Sequence, residues 1–158
     1  PDEYRLNAGG WRIDENGRKF IRVKGVRWFT NIDHGRRHEP LPLMTMADNL
    51  RFSKHKEIKG KVSYDHYDNY DAIEVPFTDA IPSDYDGVMG VPISFLDKYC
   101  PEQFEILGIT DRGNEWGLKT KEYIISDTPN WADLNRRGAI WYNGSLTSTY
   151  ARLLIRKL

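Results

Sequence analysis

Asn16-Gly17 sits between Trp11-Arg12-Ile13 and Phe20-Ile21-Arg22-Val23. Asn-Gly supplies the positive backbone angles of a tight turn, and the flanks alternate apolar and polar residues, so a β-hairpin is expected here. Gly25 interrupts, and Val26 to Ile32 reads as another strand, carrying the adjacent aromatics Trp28 and Phe29. The stretch from Asp33 to Pro42 is polar and punctuated by Gly35, Pro40 and Pro42, which predicts a loop. Further short strands are expected over Ala72–Phe77, Phe104–Thr110, Tyr123–Ser126, Ile140–Tyr142 and Tyr150–Arg156. Leu154 breaks the alternation of the last of these. Met44 to Lys61 has mixed helical character, fitting a short helix or a basic arm. Ser94 is placed to cap a short helix from Phe95 to Tyr99 that Pro101 ends. The expected fold class is α+β, richer in strand than helix.

With 158 residues, 39% of them hydrophobic and 13% aromatic, the chain is long enough for one real core and too apolar for a disordered tail. Its apolar runs fall short of the roughly 20 residues that span a bilayer. The N-terminal Pro1-Asp2-Glu3-Tyr4 is polar and reads as no signal peptide. One cysteine, Cys100, excludes an internal disulfide framework and points to a reducing, cytoplasmic setting.

The formal net charge of zero hides a segregation. Residues 1–21 are balanced, residues 22–61 carry ten bases and four acids (+6), residues 62–105 one base and ten acids (−9), and residues 106–158 eight bases and five acids (+3). A basic first third suits a polyanion, and the acidic middle suits packing against basic segments or turning DNA away from one face. Arg27, Asn31, His34, Arg36 and Arg37 are the first candidates for DNA contact. Guanidinium groups suit guanine or phosphate, and Asn suits adenine. Lys54, Lys56 and Lys59 would add phosphate contacts without sequence preference.

Three blocks are similar to the EcoRI-type adenine-specific DNA methyltransferases. They are Val26–Asp33 with Arg36-Arg37-His38-Glu39, then Tyr67–Val75, then Ile81–Tyr99 running on through Gln103–Gly108. Together they cover about residues 26–110 in family order, and Tyr150–Arg156 resembles the family's last strand. The resemblance implies a site-specific enzyme of a restriction–modification system that moves a methyl group from S-adenosylmethionine to adenine N6. Such an enzyme needs a Gly-containing cofactor loop and an Asn/Asp-Pro-Pro-aromatic loop. The chain has no Asn-Pro-Pro or Asp-Pro-Pro, and Gly87-Val88-Met89-Gly90 is no cofactor loop.

The resemblance therefore implies a C-terminal portion with no catalytic residues of its own and no cofactor bound to it. Residues 1–33 would be a hairpin and the final catalytic-sheet strand, and residues 34–158 a DNA-recognition region. Its partners would be double-stranded DNA and the N-terminal catalytic part of the same enzyme. In the family the Trp-Phe-Thr-Asn strand lies late in the catalytic sheet, where Trp28 or Phe29 would pack against an extruded adenine. A stand-alone, non-catalytic nucleic-acid or protein interaction module is the alternative. A metal-dependent nuclease built on Asp65, Asp68, Asp71, Asp84 and Asp86 is weaker, because acids in turns usually cap or face solvent. His34 and His38 are four apart, but Gly35 and Pro40 oppose the helix that would aim both at one ion, so no metal is expected.

Overall fold

The computed structural model describes residues 10–21, 32–111 and 118–158. The chain falls into two compact units, Pro1–Asp33 and His34–Leu158. In the first, β1 (Trp11–Ile13) and β2 (Lys19–Ile21) form the expected antiparallel hairpin, with Arg12 opposite Phe20. The Asp14 carboxylate accepts from the backbone N–H of Asn16 and Arg18 at 3.0 and 2.8 Å, and Gly17 takes a φ of +76°. The expected strand over Val26–Ile32, apart from Ile32, lies outside the described residues.

The second unit is built on a mixed four-stranded sheet in the order β3-β4-β8-β5: β3 (Ile73–Glu74), β4 (Met89–Pro92), β8 (Arg152–Lys157) and β5 (Phe104–Ile109). β3 and β4 run parallel, while β8 pairs antiparallel with both β4 and β5. Leu107 is the extra residue of a bulge in β5, between Ile106 opposite Ile155 and Gly108 opposite Leu154. The architecture is α+β and strand-rich, as expected.

Leu154 breaks alternation because β8 is a central strand covered on both sides. Leu153 and Ile155 join the larger core with Val75, Ile81, Met89, Val91, Phe95 and Phe104. Leu154 points to the other face and packs with Tyr67, Tyr70 and Ala72.

The first helix, α1 (Met46–Phe52), starts at Thr45, whose hydroxyl accepts from the Asp48 N–H at 3.1 Å. It is one short helix followed by turns that buried Ile58 anchors to the core. Two expectations are corrected. Ser94 caps nothing: a 3₁₀ helix spans Ile93–Lys98 and begins after Pro92 with no side-chain cap, Ser94 lying inside it. Tyr123–Ser126 is not a strand. Tyr123 is instead held by Asn135, which accepts from its N–H at 2.9 Å and donates to its carbonyl at 2.8 Å.

The Asp127–Gly138 stretch contains the short helix α2 (Trp131–Leu134). After it, β6 (Ala139–Tyr142) and β7 (Ser145–Ser148) form a second hairpin. Its two-residue turn is Asn143-Gly144, with φ of +48° and +77°, the positive pair that a type I′ turn requires. Among the described residues no helix is long and apolar enough to cross a membrane.

Tyr67 ties this hairpin to the sheet. A side chain at either Gly90 in β4 or Gly138 before β6 would fall inside the Tyr67 ring. The Tyr67 hydroxyl donates to Glu74 Oε2, and Arg152 donates to Glu74 Oε1 from Nε at 2.9 Å and Nη2 at 2.5 Å. In register, Gly90 lies between Glu74 and Leu154, so the Glu74–Arg152 pair closes over the one β4 position without a side chain.

Gly90→Ala is expected to destabilise the protein by about 2 kcal/mol, because the buried ring has nowhere to move. The thermal midpoint would fall by roughly 4–8 °C, measured by circular dichroism. A second expectation concerns alkaline pH. Burial, with Asp84 nearby, raises the Tyr64 hydroxyl to about 12, and burial beside Glu74 pushes Tyr67 well above its ordinary value. Unfolded tyrosines ionise near 10, so stability is full below that pH and falls as pH rises towards 12. The urea midpoint should drop from pH 8 to pH 11. Tyr64→Phe should shrink that drop while losing the Tyr64 hydrogen bond to the Ala80 carbonyl, 2.6 Å long, at every pH.

Candidate nucleic-acid interface

The basic turn His34–Glu39 is built as an exposed knuckle on an anchored base. His34 is extended, and Gly35–His38 closes a 3₁₀ turn through the Arg37 N–H to the His34 carbonyl at 2.9 Å. No residue of the turn is buried. Behind it, Gln103 holds Leu41 by both backbone groups, accepting from its N–H at 2.7 Å and donating to its carbonyl at 2.9 Å. His38 Nδ1 lies 2.5 Å from Glu102 Oε1. Hydrogen bonds from His38 and then from the Cys100 thiol hold the Glu102 carboxyl below its ordinary value. Cys100 is fully buried beside this carboxylate. Arg36 stands exposed with no ion pair among the described residues, and Arg37 beside it is partly covered.

The lysine stretch divides by role. Lys54 pairs with Asp79 at 2.6 Å, and His55 Nε2 reaches the same carboxylate at 2.8 Å while its ring stacks on Phe77 at 3.6 Å. Burial works to raise the Asp79 carboxyl, but Lys54 and His55 outweigh it and hold it low. Lys61 pairs with Asp65 at 2.5 Å. Lys56 and Lys59 are exposed and make no ion pair among the described residues. The knuckle is thus fixed near the start of β5, and the lysine stretch to the turn before Ile81. Arg27, Trp28, Phe29 and Asn31 lie outside the described residues.

The acid-rich segments hold structure. Asp68 accepts from Lys121 at 2.8 Å, the Tyr123 hydroxyl at 2.6 Å and the Trp141 indole at 3.2 Å, and these bonds, Lys121 first, depress its carboxyl. Asp84 accepts from the Met46 N–H at 2.7 Å. Asn69, fully buried, donates to the Leu134 and Arg137 carbonyls at 3.0 and 2.8 Å and accepts from the Ala139 N–H at 2.8 Å. Among the described residues no group of three or more His, Cys, Asp or Glu is arranged to hold a metal ion.

Sequence reasoning found no role for residues 111–149. The second hairpin there, with Tyr150 after it, carries exposed aromatics: Trp141 is 59%, Tyr142 62% and Tyr150 76% exposed. Asn143-Gly144 was the signal that could have found it, the same dipeptide that marks the first hairpin.

All 158 residues match the protein family described as "Adenine-specific methyltransferase EcoRI". The chain belongs to that EcoRI adenine-specific methyltransferase family. It is 46% identical over 107 residues to type II methyltransferase M.EcoRI of Escherichia coli, an alignment covering 68% of this chain and 30% of that protein. It is 36% identical over 118 residues to M.MpnI of Mycoplasma pneumoniae, covering 72% and 33%. With M.MgeORF184P of Mycoplasma genitalium it shares 40% identity over 93 residues, covering 59% and 26%. The chain thus spans a third or less of these curated relatives. No solved structure matches it.

Family membership raises the question of S-adenosylmethionine, and Gly87–Gly90 does not fit it. A cofactor loop keeps the space beside its glycines open for the ligand. Here the space at Gly87 is filled by the Tyr85 ring and that at Gly90 by Tyr67. This corner of the family's third block is packed against the protein's own tyrosines.

His38→Ala should return the Glu102 carboxyl towards its ordinary value, followed by NMR titration. A depressed carboxyl favours the folded state above its unfolded value and loses that contribution as pH falls through its folded value. The wild-type knuckle should therefore loosen on the acid side, and the variant should show a weaker dependence, since the Cys100 thiol still bonds the carboxyl.

Proposed function

We propose that this chain is the C-terminal, DNA-contacting part of a site-specific N6-adenine DNA methyltransferase of a restriction–modification system. The family match over residues 1–158 carries the reading. In it, residues 1–33 supply a hairpin and the last catalytic-sheet strand, and residues 34–158 form the DNA-recognition region beside the N-terminal catalytic part of the same enzyme. Methyl transfer in the whole enzyme draws on S-adenosylmethionine held by that catalytic part. This chain has no Asn/Asp-Pro-Pro-aromatic loop and by itself transfers no methyl group.

Trp28 or Phe29 packs against the extruded adenine, and Arg27 and Asn31 reach the duplex from the same strand. His34, Arg36 and Arg37 approach it from the exposed knuckle. Lys56 and Lys59, left without ion pairs among the described residues, make phosphate contacts. Lys54 joins them only by sharing its charge with Asp79.

Binding of the chain to a fluorescent duplex, followed by anisotropy at low and moderate salt, tests this reading. The wild type should bind in a salt-sensitive way. Arg36→Ala/Arg37→Ala should bind roughly tenfold or more weakly, with a salt slope shallower by about two. A folded chain with no affinity for DNA at low salt would overturn the proposal. Methyl transfer to DNA by the isolated chain would overturn its catalytic half.

A further inference from the structure

The Glu74–Arg152 pair leaves part of one guanidinium unused. Arg152 is 92% buried by its 8% exposure, and its Nε and Nη2 both go to Glu74 Oε1. Glu74 Oε2 is taken by the Tyr67 hydroxyl, so the carboxylate is engaged through both oxygens. Arg152 Nη1 has no hydrogen-bond partner among the described residues. Arg152 lines a cleft of about 380 Å³ together with Glu74, Arg137, Ile140, Ser148, Thr149 and Tyr150.

The cleft is a prepared place for an anion. Glu74 fixes the Arg152 fork, so little side-chain entropy is lost when a ligand meets Nη1. A second arginine, Arg137, lines the same cleft, and its backbone is held through the Asn69 bond to its carbonyl. Two arginines against one carboxylate leave the lining with a net positive charge. At the mouth, the Tyr150 ring lies 5.9 Å from the Arg152 guanidinium and is 76% exposed. An exposed aromatic face beside two guanidinium groups matches a sugar–phosphate unit, with the ring on the sugar and the charge on the phosphate.

We propose that this cleft binds a backbone phosphodiester of the DNA, held by Arg152 and Arg137 with Tyr150 packed on the adjoining sugar. The proposal rests on the DNA-contacting reading above and assigns a second contact surface to it, separate from the Arg36–Arg37 knuckle. A phosphate contact fixes where the duplex lies without reading its sequence.

Duplex anisotropy across a salt series tests it, with Arg137→Ala, Tyr150→Ala, Tyr150→Phe and the charge-free pair Glu74→Gln/Arg152→Gln. Arg137→Ala and Tyr150→Ala should each bind about tenfold more weakly on every duplex sequence, with thermal midpoints unchanged. The Arg137→Ala salt slope should fall by about one, and Tyr150→Phe should bind as the wild type does. The double variant, if folded, should lose affinity like Arg137→Ala. If it does not fold, Arg137→Ala and Tyr150→Ala decide. Wild-type affinity and salt slope in both single variants, while Arg36→Ala/Arg37→Ala weakens binding, would overturn the cleft and leave the DNA-contacting reading standing. A wild-type chain that binds no DNA would overturn both.

Discussion

The buried charge pair between Glu74 and Arg152 organises the larger unit. Desolvating the two charges of a buried ion pair costs more than their attraction returns unless further hydrogen bonds offset it. Here the Tyr67 hydroxyl fills the second carboxylate oxygen. That requirement fixes Tyr67, and Tyr67 fixes two glycines, since neither position 90 nor position 138 has room for a side chain against the ring. Position 90 belongs to the sheet and position 138 leads into the second hairpin. One polar network therefore sets the strand order locally, the corner of the third sequence block, and the seat of the hairpin.

How far the sequence foretold this depends on the range of the interactions. The first hairpin, β5 and β8 were legible because turn chemistry and side-chain period are local signals. Leu154 looked like an error of pattern and marks instead a strand with both faces buried. Tyr123 read as strand because it is apolar and β-favouring. Its backbone is in fact satisfied by Asn135, a bond between loops twelve residues apart. The Ser94 cap failed because Pro92 starts a 3₁₀ helix two residues earlier. The knuckle residues His34, Arg36 and Arg37 stood out as charge in a loop. The Arg152 cleft did not, because its residues come from β3, the segment leading into the second hairpin, the hairpin itself and β8, and only the packing of the hairpin against the sheet brings them together.

The segregated charge of the sequence acquires a reason in the fold. The acidic middle is largely consumed by bases from its flanks. Asp79 takes Lys54, Asp65 takes Lys61, Asp68 takes Lys121, Glu74 takes Arg152 and Glu105 takes Arg156. Net neutrality is thus achieved by pairing across sequence segments. Arg36, Lys56 and Lys59 are left exposed without an ion pair among the described residues, as are Arg51, Lys98 and Arg136. A positive residue of this kind attracts a polyanion more strongly than the same charge spread evenly among acids.

Arg152 shows why a costly buried pair suits a binding surface. An exposed arginine meeting a phosphate must give up rotamer freedom at the moment of binding. One already clamped by Glu74 has given it up during folding, when the sheet supplies the compensation. The carboxylate also spends itself on Tyr67 and on two nitrogens of the fork, so its repulsion of an incoming anion is partly offset before the anion arrives. The remaining Nη1 then acts as a rigid donor at the wall of a cleft, set by the same strand pairing that closes the core. Stability and recognition draw here on one side chain. Removing it outright therefore tests both at once, and the peripheral Arg137 and Tyr150 are the positions that separate them.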